Sequence, residues 1–333
     1  MVMKTSLILH WTHVFNAMPI RLLRFEQNGT GLHINLVERE AVHVYLESLL
    51  RANMHQQDHR PQRSRTSRES TDEAIKRLIY KYSKYAILSH TWSRSASKEV
   101  TFSDLNKGNF DVQSPGYRKL VTFCKTAWTK YRIAFCWMDT VCINKESSSE
   151  LDESIRSMYN WYARADICMV YLAETTTILN MQVDPWFTRG WTLQELLAPR
   201  LVKFFNCNWQ QLVDADNDKV DFTITEKIQS ATTITSNELL DILGTPISRR
   251  MQLAAARQVT REEDTAYSLM GIFNVSIATA YGEGAKRAFS RLLQEILATS
   301  FNTLNIFNGL GRMGNERVHP SGILPSSPQF YLN

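Results

Sequence analysis

Four short, mainly apolar runs separated by helical segments constrain this chain more than any other feature. They are Tyr85–Ser89, Ile133–Met138, Ile167–Leu172 and Leu201–Phe205. A run without polar alternation suits a strand buried on both faces. Between the runs the apolar period changes from continuous to helical. Leu120, Cys124, Ala127, Trp128 and Tyr131 share one face, and Leu151, Ile155, Met158 and Tyr162 share another. Strand, helix, strand in this succession predicts an α/β fold with a parallel sheet and crossover helices. Ligands in such sheets bind beyond the carboxyl ends of the strands, an edge that would hold Ser89, Asp139 and Glu174.

The helix starts carry their own signals. Ser114-Pro115 offers a cap and a proline at the first helical position. Ser147 with Glu150, or Ser149 with Asp152, forms a capping box, and Thr260 with Glu263 forms another. A short helix spans about Gly190 to Leu197, before Pro199. The Thr-rich stretch Thr223–Leu243 predicts one helix, after Ser236. Ala266, Leu269, Met270 and Phe273 make a buried helical face, and a long helix carries Ala288, Phe289, Leu292, Leu293 and Ile296.

The ends of the chain divide differently. Residues 1–17 read as an extension, since His10, His13 and Asn16 break the only apolar run that resembles a secretory leader. Residues 18–50 read as a hairpin and helix packing on the core, with Asn28, Gly29 and Gly31 in the turn and a short helix over 39–51 at most. Residues 51–84 hold nine Lys/Arg against four Asp/Glu, the whole of the chain's net +5, and read as a basic flexible insertion. No aromatic residue interleaves the charges between Arg51 and Lys76, so a nucleic-acid platform is not expected. Residues 85–206 form the domain core and 207–333 a mainly helical C-terminal region.

Several chemistries drop out. Five cysteines, an odd number with no CxxC pair, argue against a disulfide framework and a zinc site and for a reducing, cytoplasmic setting. No apolar run is long enough to span a membrane. Gly309–Gly314 spells GxGxxG, but no helix follows to hold a pyrophosphate. His55 and His59 are four apart but lack further ligands. No metal is expected and no cofactor is required.

Three strings carry the most information: Tyr85-Ala86-Ile87-Leu88-Ser89-His90-Thr91-Trp92; Cys136-Trp137-Met138-Asp139-Thr140-Val141-Cys142-Ile143-Asn144 leading to Met158-Tyr159 and Ala165; and Trp186 through Leu196. Together they resemble, in order and spacing, the heterokaryon incompatibility (HET) domain of filamentous fungi. Arg261–Phe273, with Tyr281-Gly282-Glu283-Gly284 and Ala288-Phe289, looks like the segment that commonly follows, and Ser321–Pro328 like its usual ending. Ser93 stands where a glycine usually follows the first tryptophan, and Leu253 where a tryptophan is often found.

The resemblance implies an effector of vegetative incompatibility, triggering cell death by self-association with itself and with other signalling proteins. HET domains are distantly similar to TIR domains, which share a flavodoxin-like parallel sheet and often cleave NAD with one glutamate. Trp191-Thr192-Leu193-Gln194-Glu195-Leu196 resembles the string that carries that glutamate, which makes Glu195 the catalytic candidate. Nicotinamide departs as a neutral base, so one anion beside the developing oxocarbenium suffices. Around NAD as substrate, Trp92 or Trp191 would stack on a flat ring, Arg189 would hold a phosphate, Asp139 would orient a ribose hydroxyl, and Ser89 would line the edge. A structural reading stands beside each role: Trp191 as core, Arg189 paired with Glu195 or Asp139, and Asp264 as a first-turn carboxylate. A purely non-enzymatic assembly module is the alternative function.

Overall fold

The computed structural model describes residues 15–28, 31–58, 71–93, 99–299 and 325–332. The chain divides into two compact units, residues 1–86 with 100–143, and residues 87–99 with 144–333. It is a mixed α/β protein with a six-stranded, mostly parallel sheet.

The first unit contains strands β1 (Arg21–Asn28) and β2 (Gly31–Glu38), helices α1 (Arg39–Asp58) and α2 (Thr71–Tyr82), the start of β3 (Tyr85–His90), helices α3 (Phe102–Lys107) and α4 (Pro115–Tyr131), strand β4 (Phe135–Trp137) and helix α5 (Asp139–Cys142). Its strand order is β2-β1-β4-β3. The predicted hairpin forms, with Asn28 opposite Gly31. Rather than only packing on the core, the hairpin extends the sheet: β1 pairs antiparallel with β4, Leu23 opposite Cys136. A hairpin reverses the chain within a few residues and supplies antiparallel neighbours without a crossover. Leu22, Leu23 and Phe25 of β1 are buried, and Arg24 covers Tyr45 of α1 at 4.1 Å. Ser114 caps α4 and Pro115 sits in its first turn, as its sequence requires.

The basic stretch contains more helix than its composition predicts. Helix α1 runs on to Asp58 and α2 covers Thr71–Tyr82, while residues 59–70 lie outside the described residues. So do residues 1–14 and the Gly309–Gly314 string. Phe15, in the segment read as an extension, is buried and edge-on to His43, with ring centroids 4.4 Å apart.

The second unit continues β3 through His90. It then contains α6 (Ser148–Arg164), β5 (Ile167–Tyr171), α7 (Thr192–Leu197), β6 (Val202–Phe205), α8 (Phe222–Thr232), α9 (Ser236–Leu240), α10 (Ile247–Ala255), α11 (Asp264–Tyr267), α12 (Met270–Phe273) and α13 (Ala285–Thr299). Its strand order is β3-β5-β6, with β5 and β6 parallel and Cys168 opposite Val202. All of β6 and all but the last residue of β5 are buried, as runs without polar alternation predict, Lys203 being the one charged residue in β6. Ser147, not Ser149, caps α6, its hydroxyl accepting from the Glu150 amide at 3.4 Å. The Thr260–Glu263 box does not form. Glu263 turns instead to the Gly282 and Gly284 amides, 2.7 and 3.1 Å away, and α11 begins at Asp264. Helix α8, unforeseen in the Thr-rich stretch, starts at a cap made by Asp221 on the Ile224 amide.

Two features set the packing of this unit. Lys203 of β6 and Asp218 form a wholly buried ion pair at 2.6 Å. Lys203 also donates to the Val213 and Ala215 carbonyls, and Asp218 accepts the Phe204 amide, so little capacity is wasted. Gly271 of α12 lies where a Cβ would collide with the Tyr159 side chain of α6, so the two helices approach only through a glycine. Gly271→Ala is expected to destabilise the protein by about 1–3 kcal/mol, the usual cost of overpacking. Urea unfolding followed by circular dichroism would measure it.

Candidate functional site

Three elements of the second unit converge on one hydroxyl. Ser89, fully buried at the end of β3, donates from Oγ to Glu195 Oε2 at 2.5 Å. Trp186 Nε1 donates to the same Oγ at 2.8 Å. Trp186 comes from the turn Pro185–Thr188 and Glu195 from α7. One serine thus ties a strand end, a turn and a short helix together, with its single proton committed to the carboxylate.

The turn is fixed by a carboxylate that the sequence did not advertise. Asp184 is buried and accepts from the Glu174 amide, the Thr175 hydroxyl and the Trp186 amide, each at 3.0 Å. These bonds fix the loop after β5 and the approach of Trp186. Glu174 itself is exposed.

A second buried charge faces α7. Arg257 donates from Nη1 to the Arg189 carbonyl at 2.8 Å and to Thr192 Oγ1 at 2.9 Å. Burial pushes its guanidinium down to about 9, and the negative charge of Glu195 pulls it back up. Its Nη2 has no hydrogen-bond partner among the described residues, and it lines a small cavity with Gly190, Val259 and Ser268. Glu195 also raises the Cys168 thiol, after burial, and the Cys168 thiol donates to the Glu195 carbonyl at 3.7 Å. Glu195 is 8% exposed.

The other sequence candidates fall in different places. Trp191 donates from Nε1 to Asp264 Oδ2 at 3.0 Å, and Tyr281 donates to the other oxygen at 2.8 Å. Burial raises the Asp264 carboxyl and both donors lower it. Asp264 therefore ties the Trp191 segment to the Tyr281–Gly284 turn rather than serving a helix dipole alone. Trp92 is 41% exposed, with Lys145 Nζ 3.4 Å from its ring centre. Arg189 contributes its backbone carbonyl to Arg257. Asp139 belongs to the first unit, half-buried at the first position of α5. The structure thus brings Ser89 and Glu195 together, and adds Trp186, Asp184 and Arg257. Trp186 stood inside a quoted string, whereas Arg257 carried no sequence signal. Among the described residues no His/Cys/Asp/Glu cluster of three could hold a metal, and no helix is long and apolar enough to cross a membrane.

Helix α7 ends on a buried cation. Lys219 donates from Nζ to the Leu197 and Pro199 carbonyls at 3.1 and 2.9 Å. A cation there satisfies carbonyls that a helix leaves open and opposes the dipole. Burial nevertheless lowers its ammonium to about 8. Between there and the usual lysine range near 10.4, the unfolded chain binds a proton that the folded chain does not. Stability should therefore rise with pH across that window, by on the order of 2–3 kcal/mol from this group. Comparing unfolding at pH 8 and pH 10 for the wild type and Lys219→Met checks this, since the variant should lose that increment whatever its absolute stability.

Residues 85–181 match the family model described as Heterokaryon incompatibility protein (HET). The match takes in Ser89, Trp92 and Asp139 and stops short of Trp186, Arg189, Trp191 and Glu195. Over 228 residues the chain is 40% identical to the Vegetative incompatibility protein HET-E-1 of Podospora anserina. That alignment covers 64% of this chain and 16% of the relative, so the chain spans a small part of that protein's length. No solved structure matches the chain. Both matches support the HET family.

Proposed function

We propose that the chain is an effector of fungal heterokaryon incompatibility that triggers programmed cell death on non-self recognition by self-association, and that Glu195 gives it an NAD-cleaving activity. The family match and the likeness to a vegetative incompatibility protein support the first part. We place the protein in the cytoplasm, with incompatibility-signalling proteins as further partners.

One observation carries the chemical part: the Glu195 carboxylate is held by Ser89 at the end of β3, with Ser89 held in turn by Trp186. Within the second unit the order β3-β5-β6, with β5 and β6 parallel, supports a flavodoxin- or TIR-like reading, since ligands in such sheets gather beyond the carboxyl ends of the strands. In the proposed reaction the bond from nicotinamide to ribose C1′ breaks and its electron pair leaves with nicotinamide. Glu195 stabilises the positive charge on the sugar, and water adds at C1′ and releases a proton. Arg257, without touching the substrate, would hold the Arg189–Thr192 segment next to Glu195.

A second reading, assembly without turnover, has its own support. Glu195 is almost enclosed, Trp191 is engaged by Asp264, and Lys145 lies over Trp92. An NAD-depletion assay on concentrated protein separates the two. Glu195→Gln, nearly isosteric, should lower turnover at least ~100-fold, the scale on which removal of a transition-state contact is felt. Equal melting temperatures would show that the fold survives. Absence of NAD loss by the wild type under every oligomerising condition would leave assembly alone.

A further inference from the structure

Six of the most exposed large apolar side chains lie on neighbouring short elements of the second unit. Leu179 and Val183 come from the turn Ile178–Val183, Val220 from the turn Asp218–Val220, and Phe222 from the first position of α8. Leu240 ends α9, and Leu243 follows it. Their exposures run from 55% to 80%. Helix α8 packs on both turns, and α9 packs on the second, so these side chains belong to one region of the surface.

The elements beneath them are firmly built. Met181 is buried under the first turn, and Ile224 and Ile228 under α8. Asp221 caps α8, and Asp218 holds Lys203. A helix whose buried face is complete still begins with a phenylalanine in water. Scattered exposed apolar residues are ordinary, whereas a contiguous group marks an interaction surface.

We infer that this face, formed by Leu179, Val183, Val220, Phe222, Leu240 and Leu243, is where a second copy of the chain docks. The inference rests on the self-association half of the proposed function and gives it a location. Area selects the occupant. Each partner of a standard interface loses ~800 Å², a little over half of it apolar, and these side chains expose on the order of 500 Å² of apolar surface. The face therefore supplies one side of a two-fold interface, in which the same patch meets itself. Its border carries Asp221 beside Phe222, Glu226 one turn later and Asp241 beside Leu240, against Lys227; Lys219 turns inward to the Leu197 and Pro199 carbonyls, and Arg249 is paired with Glu238. Two such borders repel, so salt should tighten this association, opposite to the effect expected of contacts made through the basic residues 51–84.

Sedimentation velocity on the whole chain over a wide concentration range tests it. The wild type should form a reversible dimer that high salt strengthens. Leu179→Glu with Phe222→Glu should weaken dimerisation at least tenfold with an unchanged circular dichroism spectrum and melting temperature. Glutamate at the first position of α8 also suits the helix dipole, which favours folding of this variant. Should that variant melt early, Leu179→Ser with Phe222→Ser replaces it under the same criteria. A folded variant that dimerises as the wild type does overturns the surface and leaves self-association standing. A wild type that stays monomeric throughout overturns both.

Discussion

The bond from the Ser89 hydroxyl to Glu195 decides how the second unit can be read. A buried carboxylate is tolerated only when its oxygens find donors. One donor comes from the end of a strand more than a hundred residues earlier, and it is aimed by an indole from a third element. That arrangement depends on Asp184, which fixes the turn bearing Trp186, and on Lys219, which closes the helix bearing Glu195. Residues with no direct part in any chemistry thus determine where the one candidate acid stands.

The same polar network serves two descriptions of the molecule. In the proposed catalytic reading it holds a carboxylate at the end of β3. As scaffolding it joins β3, β5 and α7 into a block, while Asp264 joins the Trp191 segment to the helical region beyond. The carboxylate of Asp264 accepts two neutral donors, so its raised titration reflects enclosure more than any assigned proton transfer.

Much of the architecture was legible because burial leaves a periodic trace. Unbroken runs such as Tyr85–Ser89 and Ile167–Leu172 became buried strands, and Ser114-Pro115 became a capped helix start. The antiparallel attachment of β1 to β4 was not legible, since pairing partners depend on tertiary placement rather than on local pattern. Helix α8 was hidden because threonine is a poor helix former and packing overrode its preference. At the site, Ser89 and Glu195 could be named from their strings, but Arg257 could not. An arginine after a run of alanines looks like surface, and only the fold buries it beneath the Arg189 carbonyl. Glu263 misled for a related reason: its spacing from Thr260 fits a cap, yet two glycine amides nearer in space claim it.

The cysteines have a consequence for handling and for chemistry. Cys124, Cys136, Cys142 and Cys168 are all buried, and burial pushes the thiols of Cys136, Cys142 and Cys168 above their ordinary range. Alkylating reagents and peroxide attack the thiolate, so these three sulfurs stay inert while the chain is folded. Cys207, partly open to solvent, takes the first label. Slow labelling of the others then becomes a clock for transient opening of the interior, set by the molecule's own composition.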